Sequence, residues 1–297
     1  MRFLCLFVLF AIGCTTSTHR SNFRGNVRFN HLYVVIDDST YKNLFEGMKI
    51  LEDFSYIKEQ SVDSEKKSWT GKYLFGRHQY LEILKPVGDK KGRVGEVGLA
   101  FRTDKLGTMN LIKDHWENND ENFTYSQRKI KRKGKLSPWF DFLSLQQSDS
   151  LRVFSWLMES PKEELRSVGF SRADLKEVIS WEKYSNHRRA KDLKIPADSV
   201  AYEKNFNRIT QLHLTLTQYE LDGLKRSLRD FGFTESGNKL VSQDVTIEYV
   251  ISESKQFLLN RIDFELAGPM KPGTYSCNNL EFKVTEDSAH IRFLYDN

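Results

Sequence analysis

Residues Phe29 to Pro86 read FNHLYVVIDDSTYKNLFEGMKILEDF and then SYIKEQSVDSEKKSWTGKYLFGRHQYLEILKP, and the order of patterns in that stretch decides the fold. A β-branched and aromatic run around a lone histidine, His31 to Asp37, leads into an amphipathic helix pattern, and three strand-like runs follow before Pro86. Tyr41, Leu44, Phe45, Met48 and Leu51 fall at i, i+3, i+4, i+7 and i+10, with Asp38 or Ser39 placed to cap the first turn. The stretch therefore predicts a β-α-β-β-β unit whose helix lays its apolar stripe on a sheet. Side chains alternate along a strand, so His31, Tyr33 and Val35 share one face of the first strand, and Tyr80, Glu82 and Leu84 share one face of the last. With Leu32, Val34 and Ile36 toward the helix, His31 points to the opposite face.

The pattern recurs along the chain. Setting Asp104 against Asp37 places Gly98 over His31, so the histidine slot of the second copy is a glycine. A shorter helix pattern (Leu106, Met109, Ile112, Trp116) and strand-like runs near Phe123 to Lys133 and Trp139 to Leu145 follow; a last run, Val153 to Glu159, places Glu159 where Glu82 falls. Residues 162 to 207 lose the alternation and read as a helical linker, in which Ser171 and Asp174 open a periodic stretch through Leu175, Val178, Ile179 and Tyr184. A third copy begins near residue 208: Leu212 to Thr217 parallels the first strand, Thr217 and Glu220 form a capping box, and Leu221, Leu224, Leu228 and Phe231 form a helix stripe. Its His213 and Glu265 stand 265 − 213 = 52 apart, against 82 − 31 = 51 for His31 and Glu82. Two closing strands, Leu280 to Val284 and Ala289 to Leu294, complete the expectation. The fold class is α+β: paired modules at 29–86 and 96–161, the linker, and a third related module at 208–297.

These repeats, with His31 in His-Leu-Tyr-Val-Val and Glu82 in Tyr-Leu-Glu-Ile-Leu, resemble the paired β-α-β-β-β modules of the vicinal oxygen chelate superfamily, which includes glyoxalase I, extradiol dioxygenases and bleomycin-resistance proteins. From about Asn30 to the C-terminus the chain is similar to an uncharacterised bacterial family of glyoxalase-like proteins with no assigned reaction. The resemblance implies that two modules enclose a cleft, with a histidine ligand on a first strand and a glutamate on a last strand. His31, Glu82 and Glu159 are then the metal ligands expected, with Glu82 or Glu159 as a catalytic base. Imidazole with carboxylates suits one divalent ion such as Zn²⁺, Fe²⁺, Mn²⁺ or Ni²⁺, which would polarise a carbonyl or stabilise an enediolate. Gly98 departs from this pattern: three protein ligands suffice for a catalytic ion, but a lost slot also fits a protein that kept the fold and gave up the chemistry.

Each candidate has a plainer reading beside the functional one. His31 also fits a hydrogen-bonded strand histidine, and Glu159 an edge residue, whereas a carboxylate at Glu82, among Tyr80, Leu81, Ile83 and Leu84, needs a partner or an open cleft. Tyr33, Trp69, Tyr73 and Tyr80 recur at strand spacing and line either a ligand pocket or a core. Two functions follow. One is a metal-dependent isomerase, lyase or dioxygenase acting on a small oxygenated substrate; the other is a non-catalytic protein that holds an apolar or aromatic small molecule in the same cleft.

The N-terminus sets the location expected. Met1-Arg2 precedes an apolar run from Phe3 to Ile12, then Gly13, Cys14 and a Thr-Thr-Ser-Thr tether, which reads as a signal peptide over residues 1–13. Ala11 and Gly13 before Cys14 resemble a bacterial lipobox, so that Cys14 would be lipidated, residues 14–28 would tether the fold to a membrane, and the protein would sit in the cell envelope, at the outer membrane where one exists. Of the three cysteines, Cys5 leaves with the signal and a lipidated Cys14 leaves Cys277 without a disulfide partner. The net charge of +5 becomes 5 − 1 = +4 without Arg2. Six of the eight residues from Arg128 to Lys135 are basic, which with Gly134 reads as a solvated hairpin. No nucleic-acid motif accompanies it, and no Gly-rich phosphate loop, Ser-His-Asp order or Cys-x-x-Cys pair supports nucleotide or nucleophilic chemistry.

Overall fold

The computed structural model describes residues 23–65, 68–86, 93–148, 151–253 and 257–295. The signal peptide and Cys14 lie outside them. Among the described residues no helix is long and apolar enough to cross a membrane.

The first module is β1 (Val27–Val35), α1 (Asp38–Gly47), α2 (Leu51–Phe54), β2 (Tyr56–Asp63), β3 (Ser68–Phe75) and β4 (Tyr80–Leu84). The second is β5 (Val97–Thr103), α3 (Thr108–Asn118), β6 (Phe123–Arg132), β7 (Lys135–Leu145) and β8 (Val153–Glu159). Together they make one eight-stranded sheet in the order β2-β3-β4-β1-β5-β8-β7-β6. The expected helix breaks in two, because Met48 closes α1 on the Leu44 carbonyl before α2 restarts at Leu51. Its cap is Asp37 rather than Asp38 or Ser39: the Asp37 carboxylate accepts from the Thr40 amide at 2.9 Å and from the Thr40 hydroxyl at 2.6 Å. The basic run does form a hairpin, turning at Lys133 and Gly134 with φ of +49° and +80°. Three of its cations are paired, Lys129 with Glu65, Lys131 with Asp63 and Arg132 with Glu164. The sheet curls until its outer strands meet at a bridge between Ser64 and Ile130.

After β8 the chain crosses through α4 (Lys162–Ser167) and α5 (Trp181–Leu193). Ser171 and Asp174 do cap one another, but over a single 3₁₀ turn, and the long helix begins on Ser180, which accepts from the Lys183 amide. A second eight-stranded sheet follows: β9 (Phe206–Leu216), α6 (Gln218–Asp230), β10 (Thr234–Ser236), β11 (Lys239–Val241) and β12 (Thr246–Ile251), then β13 (Leu259–Leu266), β14 (Gly273–Cys277), β15 (Leu280–Val284) and β16 (Ser288–Phe293). The capping box of Thr217 and Glu220 opens α6 as expected. Residues 208 to 297 thus hold two units, the second without a helix. With no helical period to announce it, β13 reads in the sequence as the end of the third unit rather than the start of a fourth.

One core joins the two sheets, and the linker packs a small cluster of its own around Leu165, Val168, Phe170 and Ile179. The Phe54 ring stacks on Phe206 at 5.1 Å and meets Phe264 and Phe282, Phe101 meets Phe231 at 5.0 Å, and the Trp116 indole donates to the buried Asp230 carboxylate at 2.8 Å. Helices α1, α2, α3 and α6 and the inner face of the second sheet cover one face of the first sheet, leaving its concave face to form a hollow flanked by α4 and α5.

Candidate functional site: an aromatic cleft in the first sheet

The hollow measures about 1840 Å³. Its wall depends on a β-bulge: the register between β1 and β5 shifts between Phe29 and His31, so Phe29 and Leu32 both enter the core while His31 and Tyr33 both face the cleft. On the neighbouring strand β4, the parallel register sets Tyr80 beside His31 and Glu82 beside Tyr33. His31 and Glu82 therefore share the cleft face, as the alternation predicts.

His31 lies on the Tyr80 ring with centroids 4.2 Å apart, and the edge of Trp156 meets it at 5.5 Å. Burial pushes its pKa down to about 3, so the imidazole is neutral. With the Asn30 amide nitrogen as donor 3.0 Å away, Nδ1 accepts and the ring hydrogen sits on Nε2. Glu82 is buried, and one of its oxygens accepts from the Tyr73 hydroxyl at 2.5 Å and the Trp69 indole at 2.7 Å. Burial and then the adjoining Glu82 carboxylate raise the Tyr73 pKa, which keeps that hydroxyl a donor. The Tyr33 hydroxyl donates to Glu96 at 2.8 Å.

Gly98 faces Tyr33 across the β1–β5 pair, while the partner of His31 there is Ala100. A Cβ on Gly98 would fall 2.2 Å from the Tyr33 ring and 2.8 Å from Trp156. The missing side chain is what lets these two rings, with Phe154 at 5.4 Å from each, pave the floor.

Glu159 does something else. Phe154, Trp156 and Met158 alternate onto the cleft face, and Glu159, one residue on, turns its carboxylate to α3 at the rim. It accepts from the Gly107 amide at 2.8 Å, the Thr103 hydroxyl at 2.7 Å and the Met109 amide at 3.1 Å. The N-cap of α3 is Gly107, which has no side chain, and Glu159 satisfies the helix terminus in its place. The expected set His31, Glu82 and Glu159 is divided: two members share one wall and the third is engaged by a helix. Among the described residues no three His, Cys, Asp or Glu side chains are grouped to hold an ion, so the donors present do not fit a three-ligand metal centre.

The second sheet offers no comparable hollow among the described residues. His213 stands beside Glu248 as Tyr33 stands beside Glu82, so it occupies the tyrosine position, and its Nε2 lies 2.7 Å from Asp263. Glu265 is on β13, paired with Arg208 and not with His213. The near-equal spacing of 51 and 52 thus joined unlike strands.

Sequence reasoning missed the far wall and the flank. Phe142, Phe154 and Trp156 come from β7 and β8, and α5 adds Trp181, 4.9 Å from Tyr80, and Tyr184. Alternation of Phe154, Trp156 and Met158 against Val153, Ser155 and Leu157 was the available signal; nothing local marks which linker residues turn inward.

Similarity to solved structures is confined to the fold. Homoprotocatechuate 2,3-dioxygenase from Arthrobacter globiformis is 10% identical with a TM-score of 0.37, over 76% of this chain and 60% of that one, so this chain spans only part of its length. An extradiol ring-cleaving dioxygenase from B. fuscum is 11% identical with a TM-score of 0.37, over 88% and 69%. Methylmalonyl-CoA epimerase from Streptomyces coelicolor is 17% identical with a TM-score of 0.31, over 47% of this chain and 98% of that one. All three are vicinal oxygen chelate proteins. No protein of curated function matches the sequence. The model of a family of unknown function, DUF5829, matches residues 29–289, and the chain belongs to that family.

Proposed function

We propose that the first-sheet cleft binds a small, largely apolar molecule that carries a ring, and that this protein is a ligand-binding member of its fold. The observation that carries the reading is the floor of Tyr33, Phe154 and Trp156 that Gly98 makes room for. Ring faces stack on such a floor, and each ring buried contributes well over 100 Å² of apolar contact, roughly 150–250 Å². The polar groups at one wall, Glu82 with Tyr73 and Trp69 and the neutral His31, supply orientation to a hydroxyl or N–H of the ligand. Titrating the protein with N-phenyl-1-naphthylamine, an uncharged fluorescent aromatic, is the direct test. Saturable binding near one per chain that is lost in Gly98→Leu supports the reading; no saturable binding refutes it.

The sequence of residues 1–14 supports a location in the cell envelope, with Cys14 acylated and the tether anchoring the fold to a membrane. A Cys14→Ser chain should leave the membrane fraction. Wild-type protein recovered wholly soluble and without lipid would refute the anchor.

A further inference from the structure

One cation stands close over an aromatic ring of the cleft. On β6 the Arg128 side chain lines the hollow, half-buried, with its guanidinium 4.5 Å above the Phe142 ring. Of the other basic groups that line this hollow, Lys129 has Glu65, Arg102 has Asp104, and Arg189 has the Ala201 carbonyl and the Tyr56 hydroxyl, while Arg188 and Lys85 lie over the Tyr184 and Tyr41 rings at 5.9 Å, farther than Arg128 from Phe142. Arg128 has only the ring among the described residues, and burial lowers its pKa with no neighbouring carboxylate to restore it. A guanidinium withdrawn from water without an anion is unfavourable, and a planar fork of donors aimed into a cavity is suited to a carboxylate, sulfate or phosphate. The two buried carboxylates of the hollow are engaged elsewhere, Glu82 by Tyr73 and Trp69 and Asp104 by Arg28 and Arg102, so neither answers Arg128.

Resting on the binding function proposed above, we infer that the ligand is an apolar, ring-bearing anion whose acidic group pairs with Arg128 while its rings lie on the Tyr33, Phe154 and Trp156 floor. The class is aromatic or polycyclic carboxylic acids, and the sulfate or phosphate esters of ring-bearing alcohols and phenols.

Two probes that differ by one charge test this on the full chain carrying Cys14→Ser, kept free of detergent. N-phenyl-1-naphthylamine is neutral, and 8-anilinonaphthalene-1-sulfonate is the same skeleton with one sulfonate. The sulfonate should bind about tenfold more tightly, and should displace the neutral probe, because a charge-assisted hydrogen bond in a partly dry site adds that much. Arg128→Gln should abolish the preference and leave the affinity for the neutral probe unchanged, and Arg128→Lys should keep part of it. Equal affinities in the wild type, or a preference that survives Arg128→Gln, overturn the inference while the binding function stands. Saturable binding of neither probe overturns both.

Discussion

His31 and Tyr80 lie face to face across β1 and β4, ring centroids 4.2 Å apart and planes 15° from parallel. The contact fixes what the histidine can be. An imidazole stacked, buried and hydrogen-bonded through Nδ1 to Asn30 is part of an aromatic wall with one polar edge.

Its charge state gives a first prediction. The folded pKa of about 3 lies below the ordinary histidine value of 6.5, so on acidification the unfolded chain takes up a proton that the folded chain refuses. Stability is unaffected by this group above the unfolded value and falls as pH drops from about 6.5 toward about 3, at up to about 1.4 kcal/mol per pH unit. In His31→Phe the loss between pH 6.5 and pH 5 should shrink by about 1.6 kcal/mol in urea unfolding. An unchanged slope would show that His31 is already protonated in the fold.

Gly98→Ala should be costly beyond its size. The new methyl carbon would fall 2.2 Å from the Tyr33 ring, in a floor with no slack. A loss of about 1–3 kcal/mol in unfolding free energy and a marked fall in naphthylamine affinity are expected, and combining it with Tyr33→Leu should recover much of the stability.

Glu159→Gln separates the helix-terminus role from a cleft role. Three donors of α3 and its approach converge on this carboxylate, so stability should fall by about 1–2 kcal/mol. Probe affinity should stay at the wild-type value. A variant of full stability that no longer binds would restore Glu159 to the cleft.

Glu82→Gln should change binding as well as stability. Its oxygen holds the Tyr73 hydroxyl and the Trp69 indole in place, so the variant should shift both the tryptophan emission and the probe affinity, with a stability loss of about 1–3 kcal/mol. A double-mutant cycle with Tyr73→Phe should show coupling of about 1 kcal/mol, and additivity of the two changes would refute the pairing.

Much of this architecture is legible in the residues. Helix stripes and strand alternation locate the two modules of the first sheet, α6 with its capping box, and the shared face of His31 and Glu82. Three things are not. The bulge at Asn30 flips the parity of β1 without any Gly or Pro to mark it. Helix α3 begins on a bare glycine and takes its terminal acceptor from Glu159, 52 residues away, so a carboxylate in a ligand-like position is structural for reasons no local pattern holds. The fourth unit lacks a helix, and its first strand, β13, was therefore matched to a last strand by spacing alone.

The continuous core has a consequence for how the molecule can be divided. Phe54 of the first half is sandwiched among Phe206, Phe264 and Phe282 of the second, and Asp230 depends on the Trp116 indole across the same boundary. The second sheet is thus a buttress: among the described residues it forms no comparable hollow, and its inner face backs the curved wall opposite. Neither half is a portable module, and a lesion on the solid side of the molecule will be felt as a loosening of the hollow one.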